Sequence, residues 1–142
     1  ILKSAEARKV DVLLPVDHIA ADSIDSKETR IFTNDNFPEE MMGFDIGPKT
    51  VELYGKALKT AKHVFWNGPM GVFEKAQFAQ GSMAVAEAVA ASNAHTVAGG
   101  GDSVALISQA GLEHQLSHVS TGGGASLEFL KFGSLPGVDI IK

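Results

Sequence analysis

Three consecutive glycines, Gly122, Gly123 and Gly124, stand between a short apolar segment and a predicted helix. Such a run costs backbone entropy, but backbone N–H groups without a neighbouring Cβ can approach an anion closely. The helix that follows adds the positive end of its dipole. We therefore predict that these three glycines contact a phosphoryl group, with a flexible tight turn as the alternative interpretation.

A second loop, Gly99-Gly100-Gly101, repeats this arrangement and is followed by an acid, Asp102, and a hydroxyl, Ser103. Asp102 stands where an N-cap is expected, so it either caps the next helix or faces the Mg²⁺ of a nucleotide. Mg²⁺ typically takes one or two carboxylates and completes its shell with water and phosphate oxygens. One aspartate at a phosphate-binding loop is therefore enough, and both interpretations stay open on the pattern alone.

The third turn-rich loop begins at Asn67 and reaches Glu74 through Gly68-Pro69-Met70-Gly71. The Asn67 amide could bind a phosphate, and Glu74 could accept hydrogen bonds from ribose hydroxyls. A turn with a surface glutamate explains the same residues, and the pattern alone favours that simpler interpretation.

A serine hydrolase is the weaker alternative for the second loop. Residues 101–105 resemble a Gly-x-Ser-x-Gly elbow around Ser103, with alanine in place of the final glycine. Glu113 and His114 or His118 follow in the chain order of a hydrolase triad. Glu113 and His114 are adjacent, however, which is an awkward arrangement for a base and the group that orients it.

Short apolar segments bounded by polar residues, glycine or proline predict the strands that must position these loops. Residues 34–47 contain Asn, Pro and Gly and read as an irregular loop. The predicted strands cover residues 10–16, which read as buried, and residues 31–33, 64–66, 95–98 and 118–120.

Predicted helices alternate with the later strands: the tail of a helix at 2–9, a helix beginning at Pro48, and helices at 76–92, 102–110 and 125–132. Alternating strands and helices imply a parallel sheet with helices on its faces, so we expect a three-layer, Rossmann-like α/β fold. Ligands of such sheets bind beyond the carboxyl ends of the strands. The three glycine-rich loops should therefore line one crevice.

Composition excludes several function classes. The 142-residue chain has a net charge of −5 with scattered Lys and Arg, so nucleic-acid binding is not expected. It has no cysteine, which excludes disulfides and cysteine-based metal sites. It contains no apolar run of about 20 residues, so we expect no membrane span. These features fit a cytoplasmic protein.

Taken together, the segments closely resemble the phosphoglycerate kinase family, in order and spacing, over nearly the whole chain. Each run is a weak signal and the combination is specific. The matching runs are 14–17 (Leu-Pro-Val-Asp), 43–48 (Gly-Phe-Asp-Ile-Gly-Pro), 66–74 (Trp-Asn-Gly-Pro-Met-Gly-Val-Phe-Glu), 99–103 (Gly-Gly-Gly-Asp-Ser), 118–129 and 135–138.

This resemblance implies a role for each loop. Gly122, Gly123 and Gly124 would aim their amides at the transferring phosphoryl, and Asp102 would face Mg²⁺. Phe44 would contact adenine, and Glu74 would hold the ribose hydroxyls. The remaining residues expected along the nucleotide are Asn67, Pro69, Gly100, Gly101 and Ser103.

The resemblance also implies that residues 1–142 are the C-terminal portion of a nucleotide-binding domain, incomplete as a fragment. The N-terminal domain that binds 3-phosphoglycerate or 1,3-bisphosphoglycerate would be absent, as would the family's phosphate-binding lysines. The expected reaction transfers a phosphoryl group between 1,3-bisphosphoglycerate and Mg-ADP in glycolysis, in a monomeric parent enzyme. We expect this chain alone to be inactive, and a fragment that only binds nucleotide is the remaining alternative.

Overall fold

The computed structural model describes residues 1–141, which form two three-stranded sheets with helices packed around them. The first sheet is antiparallel, with strand order β2-β1-β3, and the second is parallel, with order β4-β5-β6. The strands are β1 (Asp17–Ala21), β2 (Arg30–Thr33), β3 (Met42–Ile46), β4 (His63–Trp66), β5 (His95–Gly99) and β6 (His118–Ser120).

The described helices follow the predicted alternation from Pro48 onward. Where one helix was expected over 76–92, a 3₁₀ turn at Ala76–Phe78 precedes a separate helix. The helices are α1 (Leu2–Ala7), α2 (Pro48–Thr60), α3 (Gln80–Ala90), α4 (Gly101–Ala110), α5 (Gly123–Phe132) and α6 (Pro136–Asp139).

The parallel sheet confirms the predicted α/β architecture, and its register aligns the strand ends. Trp66 pairs with Ala98, and Gly99 pairs with Ser120. The last residues of the three strands therefore lie at one edge. The loops that leave β4, β5 and β6 begin side by side at that edge.

A core between this sheet and its helices holds the strand ends in place. Trp66 of β4 and Ala98 of β5 pack with side chains of α3 and α4 on one face of the sheet. Alternate residues Phe65 and Val97 point to the other face, where they line a groove with α5. The buried core residues of this cluster are Ile46, Trp66, Phe73, Val85, Ala86, Val89, Ala98, Leu106 and Ile107.

Two sequence expectations for the first part of the chain are wrong. The stretch 34–47 is not all loop, because β3 pairs with β1, and 17–21 forms the central strand of the antiparallel sheet. The expected buried strand at 10–16 is absent: Val10 and Leu14 are each 56% exposed. The apolar run is not paired with any strand among residues 1–141.

Two buried aspartates of the antiparallel sheet fasten helices that lack side-chain caps of their own. Asp17 accepts hydrogen bonds from the backbone N–H groups of Lys49 and Thr50 and from the Thr50 hydroxyl, at 2.6–3.0 Å. Asp45 accepts one from the Gly81 N–H at 2.6 Å. Since carboxylates are favourable at helix N-termini, these bonds fix α2 and α3 against the sheet.

No helix within residues 1–141 is both long and apolar enough to cross a membrane.

Candidate functional site

The three glycine-rich loops meet at the carboxyl edge of the parallel sheet, as the alternation of strands and helices predicts. The Asn67 side-chain Nδ2 donates a hydrogen bond to the Gly99 carbonyl at 2.7 Å. The Gly100 N–H donates to the Ser120 carbonyl at 3.1 Å. A Cβ built on Gly123 would lie 2.7 Å from the Gly100 Cα. One site is therefore built from all three loops.

Two of these glycines are required by the packing of the loops. Gly100 has a φ of 98°, a conformation that other residues rarely adopt. Gly123 is buried against both Gly100 and Asn67 and has no room for a side chain. By contrast, Cβ atoms at Gly101 and Gly124 would meet nothing within 4 Å. Packing does not explain glycine at those two exposed positions.

The start of α4 presents backbone donors that no described residue uses. The N–H groups of Gly101, Asp102 and Ser103 have no acceptor among residues 1–141, while the Val104 N–H bonds the Gly100 carbonyl. These three amides make the N-terminus of α4 a potential anion site.

The start of α5 differs from the expectation in its detail. The Gly122 N–H bonds Ser120 Oγ at 3.2 Å, and the Gly123 N–H bonds the Thr121 carbonyl at 3.1 Å. Of the three glycines predicted to donate to a phosphoryl, only Gly124 has an N–H without an acceptor in the described part of the chain. Ala125, which the sequence reasoning missed, has another.

Asp102 is not the N-cap of α4. The N-cap is Gly100, and Asp102 lies one residue inside the helix, exposed and without a hydrogen-bond or ion-pair partner among residues 1–141. The capping interpretation of Asp102 is therefore wrong. Its carboxylate is free to meet a ligand beside the unused amides.

The donor set around Asp102 fits a nucleotide-bound Mg²⁺ better than a protein-held metal. No group of three or more His, Asp or Glu side chains within residues 1–141 could hold a metal ion. Asp102 supplies one carboxylate, and Mg²⁺ can take its other ligands from phosphates and water.

The loop from Asn67 to Gly71 is fixed by two buried serines. Ser103 Oγ accepts a hydrogen bond from the Gly68 N–H at 2.7 Å, and Ser82 Oγ accepts from the N–H groups of Met70 and Gly71. Ser103 was expected beside the phosphates; it is only 1% exposed, and its hydroxyl is bonded to this loop. Ser82 was missed; its only sequence signal is a polar residue on the apolar face of an Ala-rich helix.

Glu74 and Pro69 lie in the same loop region with different exposure. Glu74 is exposed and has no partner among the described residues, while Pro69 is half-buried. Phe44 of β3 is half-buried, with its ring 4.7 Å from that of Phe78. The Phe44 carbonyl accepts the Val72 N–H at 2.9 Å, which joins β3 to the loop between Asn67 and Glu74.

A groove of about 610 Å³ lies beside the candidate site but has a different character. It is mostly apolar and is lined by Phe65, Val97 and Phe129 among others, and Ser120 and Gly122 also line it. Asn67, Asp102 and Glu74 do not line it. The groove therefore lacks the carboxylates and the side-chain amide of the candidate site.

The hydrolase alternative has no support in the geometry. Ser103 Oγ is bonded to Gly68, and within residues 1–141 no histidine hydrogen-bonds to it. The carboxylate of Glu113 bonds the Ser108 hydroxyl and not a histidine. The base and orienting group that would activate a serine nucleophile are therefore not assembled.

Comparison with known proteins yields a consistent set of relatives. A family model described as phosphoglycerate kinase matches residues 1–132. The chain is 55% identical over 139 residues to a phosphoglycerate kinase of Anaeromyxobacter dehalogenans (strain 2CP-1 / ATCC BAA-258), covering 97% of this chain and 35% of that protein. It is 53% identical over 144 residues to a phosphoglycerate kinase of Thermus thermophilus, covering 100% of this chain and 37% of that protein.

Solved structures agree with the sequence relatives. The phosphoglycerate kinase of Coxiella burnetii superposes with a TM-score of 0.92 at 41% identity, over 99% of this chain and 37% of that one. That of Pyrococcus horikoshii OT3 gives a TM-score of 0.75 at 38% identity, over 88% of this chain and 31% of that one. The chain thus spans about a third of the length of the curated relatives it matches.

Proposed function

Since this chain belongs to the phosphoglycerate kinase family, we propose that its three-loop edge is the nucleotide and phosphoryl site of a phosphotransferase. One observation carries the proposal. The loops after β4, β5 and β6 meet, and five backbone N–H groups there have no acceptor among the described residues: those of Gly101, Asp102, Ser103, Gly124 and Ala125.

The proposed reaction moves a phosphoryl group from 1,3-bisphosphoglycerate to ADP. The bond from the acyl oxygen to phosphorus breaks, a terminal β-phosphate oxygen of ADP forms the new bond, and 3-phosphoglycerate and ATP result. Such transfers depend mainly on positioning and on stabilising the charge of the equatorial oxygens. Amides of the α5 N-terminus, including those of Gly124 and Ala125, would face the moving group.

Residues of the other two loops would hold the nucleotide. Gly100 and Gly101 would border its phosphates, as would Ser103, and Asn67 and Pro69 would lie along it. Glu74, whose carboxylate is exposed, would accept hydrogen bonds from the ribose hydroxyls, and Phe44 would contact the adenine.

Mg²⁺ would arrive with the nucleotide and be faced by Asp102, the exposed carboxylate beside the free amides of α4. The ion would neutralise phosphate charge when bound. In its absence Asp102 would repel those phosphates, so ADP should bind better with Mg²⁺ than without it.

We assign neither the binding of the second substrate nor the family's phosphate-binding lysines to residues of this chain. We propose that 3-phosphoglycerate binds to an N-terminal domain of a longer, monomeric, cytoplasmic glycolytic enzyme, and that residues 1–142 are part of the nucleotide-binding domain. The proposal expects negligible turnover from the 142-residue chain alone.

Nucleotide titration watched by backbone NMR tests the proposal. Mg-ADP should shift the amide signals of the three loops, and Gly55, which lies inside α2 and in none of these loops, provides an internal reference. Shifts confined to other regions, or none at millimolar Mg-ADP, would overturn it. A coupled assay on the same sample separates binding from catalysis: binding without turnover fits the proposal, and clear turnover contradicts the expected inactivity.

A further inference from the structure

We propose that Ser82 is a positioning residue for nucleotide binding, because its hydroxyl fixes the loop that joins Asn67 to Glu74. This inference rests on the function proposed above for that loop. It assigns to Ser82 no contact with the nucleotide itself. Its action would pass through the backbone of Met70 and Gly71.

The geometry at Ser82 is that of a two-point acceptor. Its side chain is fully buried in the first turn of α3, and its Oγ accepts the Met70 N–H at 2.9 Å and the Gly71 N–H at 3.0 Å. A serine hydroxyl has two acceptor lone pairs, so both are occupied by the loop. Because the two consecutive N–H groups point at the same oxygen, they fix the backbone conformation at Met70 and Gly71.

Ser103 supplies the matching contact at the other end of the loop. It stands at the third position of α4 as Ser82 stands at the third position of α3, and its Oγ accepts the Gly68 N–H at 2.7 Å. Both serines are at most 1% exposed. Residues 68–71 therefore lie across the first turns of two helices, held by two buried oxygens.

By fixing residues 68–71, the two serines set the distance between Asn67 and Glu74, which are proposed to contact different parts of the nucleotide. Asn67 and Pro69 lie at the start of the fixed stretch, and Glu74 follows its end. The Gly71 position is also tight, since a Cβ there would lie 2.4 Å from Asp45 Oδ1. Without the Ser82 oxygen, two half-buried N–H groups lose their acceptor, and the loop must move to satisfy them.

Three substitutions at Ser82 and one matched control test the role, each in the full 142-residue chain. Ser82→Ala removes the acceptor, Ser82→Cys keeps the size with a weak acceptor, and Ser82→Thr keeps the hydroxyl. Ser92→Ala is the control, because the Ser92 hydroxyl bonds only the Val89 carbonyl at the other end of α3. The readouts are the Mg-ADP dissociation constant and amide hydrogen exchange at Met70 and Gly71.

We expect only the substitutions that remove the Ser82 hydroxyl to weaken Mg-ADP binding. Ser82→Ala and Ser82→Cys should raise the Mg-ADP dissociation constant about tenfold and speed exchange at Met70 and Gly71, while Ser82→Thr and Ser92→Ala stay within about twofold of the parent. The proposal also requires slow exchange of the Met70 and Gly71 amides in the unsubstituted chain. This measurement tests it even if a Ser82 variant does not fold.

Two different failures are distinguishable. If the parent chain binds Mg-ADP and Ser82→Ala binds it equally well with faster exchange at Met70 and Gly71, the positioning role is wrong and the nucleotide site stands. If the parent chain binds no Mg-ADP, the proposed function fails and this inference fails with it.

Discussion

Gly123 lies against Gly100 so closely that a Cβ on Gly123 would fall 2.7 Å from the Gly100 Cα and 2.8 Å from Asn67 Nδ2. Side chains do not occupy such distances, so the loops after β4, β5 and β6 converge only because this residue is glycine. The relationship joins the first turn of α5 to the loop before α4. A substitution of Gly123 should therefore displace all three loops at this edge of the sheet.

Gly123→Ala should destabilise the chain by about 1–3 kcal/mol, the usual cost of overpacking a tight site. The loops would have to separate, so Mg-ADP binding should weaken as well. Urea unfolding and nucleotide titration measure the two effects. Gly124→Ala, where a Cβ meets nothing within 4 Å, is the neighbouring control for stability, and an unchanged stability of Gly123→Ala would contradict the close contact.

Gly101→Ala and Gly124→Ala should separate stability from binding. Alanine is the better helix former, so each variant should gain up to about 1 kcal/mol in stability. Each added Cβ would hinder the approach of an anion to the free amides, so Mg-ADP affinity should fall about two- to fivefold, equivalent to about 0.3–1 kcal/mol.

Gly55→Ala controls for the change of helix propensity in the preceding pair. Gly55 lies inside α2, and a Cβ there also meets nothing within 4 Å. It should gain stability and leave the affinity for Mg-ADP unchanged. If the two loop variants bind Mg-ADP as tightly as Gly55→Ala does, the amides at those positions do not face the nucleotide.

Local sequence signals predict the parallel sheet and its loops well, because strand, glycine run and helix follow one another directly. The antiparallel sheet is harder to predict. Its central strand, β1, begins with the buried Asp17, and alternation of apolar and polar residues is weak there. The buried Asp17 carboxylate takes its hydrogen bonds from Lys49 and Thr50, 32 and 33 positions away at the start of α2. A short stretch of sequence around Asp17 cannot reveal hydrogen-bond partners so far along the chain.

The same limit applies to the candidate site. The glycines and Asp102 stand out because runs of three glycines, one of them followed directly by an acid, lie between predicted strands and helices, whereas Ser82 is an ordinary residue in an Ala-rich helix. Its significance depends on the N–H groups of Met70 and Gly71 lying above it. The expected strand at 10–16 failed for a related reason, since an apolar run becomes a strand only where another strand pairs with it.

Asp102→Asn should abolish the dependence of ADP binding on Mg²⁺. On the proposed function, the Asp102 carboxylate would supply one ligand to Mg²⁺ when the ion is bound and would repel the phosphates when it is not, and asparagine removes both effects. The ratio of ADP affinities with and without Mg²⁺ should fall toward about one, measured by calorimetry. Glu87→Gln, an equal change of charge at an exposed position of α3, should keep the parent's ratio.

Asp17→Asn should lower the free energy of unfolding at neutral pH, because it removes the stabilisation by the Asp17 carboxylate. The parent loses this stabilisation only at acidic pH. Burial alone raises the pKa of Asp17, but hydrogen bonds from Thr50 and Lys49, together with the Lys49 charge, outweigh it and leave the pKa lowered. Between the folded and unfolded values the unfolded chain binds more protons, so stability rises with pH and is lost as pH falls through the folded pKa.

The loss at neutral pH should be about 2 kcal/mol or more, because one oxygen that accepts from the helix N-terminus is replaced by an amide nitrogen. Urea unfolding between acid and neutral pH measures it. Asp11→Asn, at an exposed position, should follow the parent. A parent whose stability does not fall in acid relative to Asp17→Asn would contradict this role.

Asp45→Asn should change the pH profile in the opposite sense. Burial raises the pKa of Asp45, against the lowering effect of hydrogen bonds from the Gly81 and Ile46 N–H groups. A raised pKa means that the folded chain binds the proton more tightly than the unfolded chain, in which an aspartate has a pKa of about 3.9. The parent's stability from this group is therefore complete below that value and is lost as pH rises through the folded pKa.

Asparagine at position 45 keeps an oxygen for the Gly81 N–H and carries no charge, so the stability of parent minus variant should decrease with rising pH across that window. For Asp17→Asn the same difference should increase with pH. Urea unfolding of both variants in one buffer series therefore gives two slopes of opposite sign. Parallel profiles for the parent and Asp45→Asn would show that the carboxylate between β3 and α3 is ionised without cost, against the burial observed there.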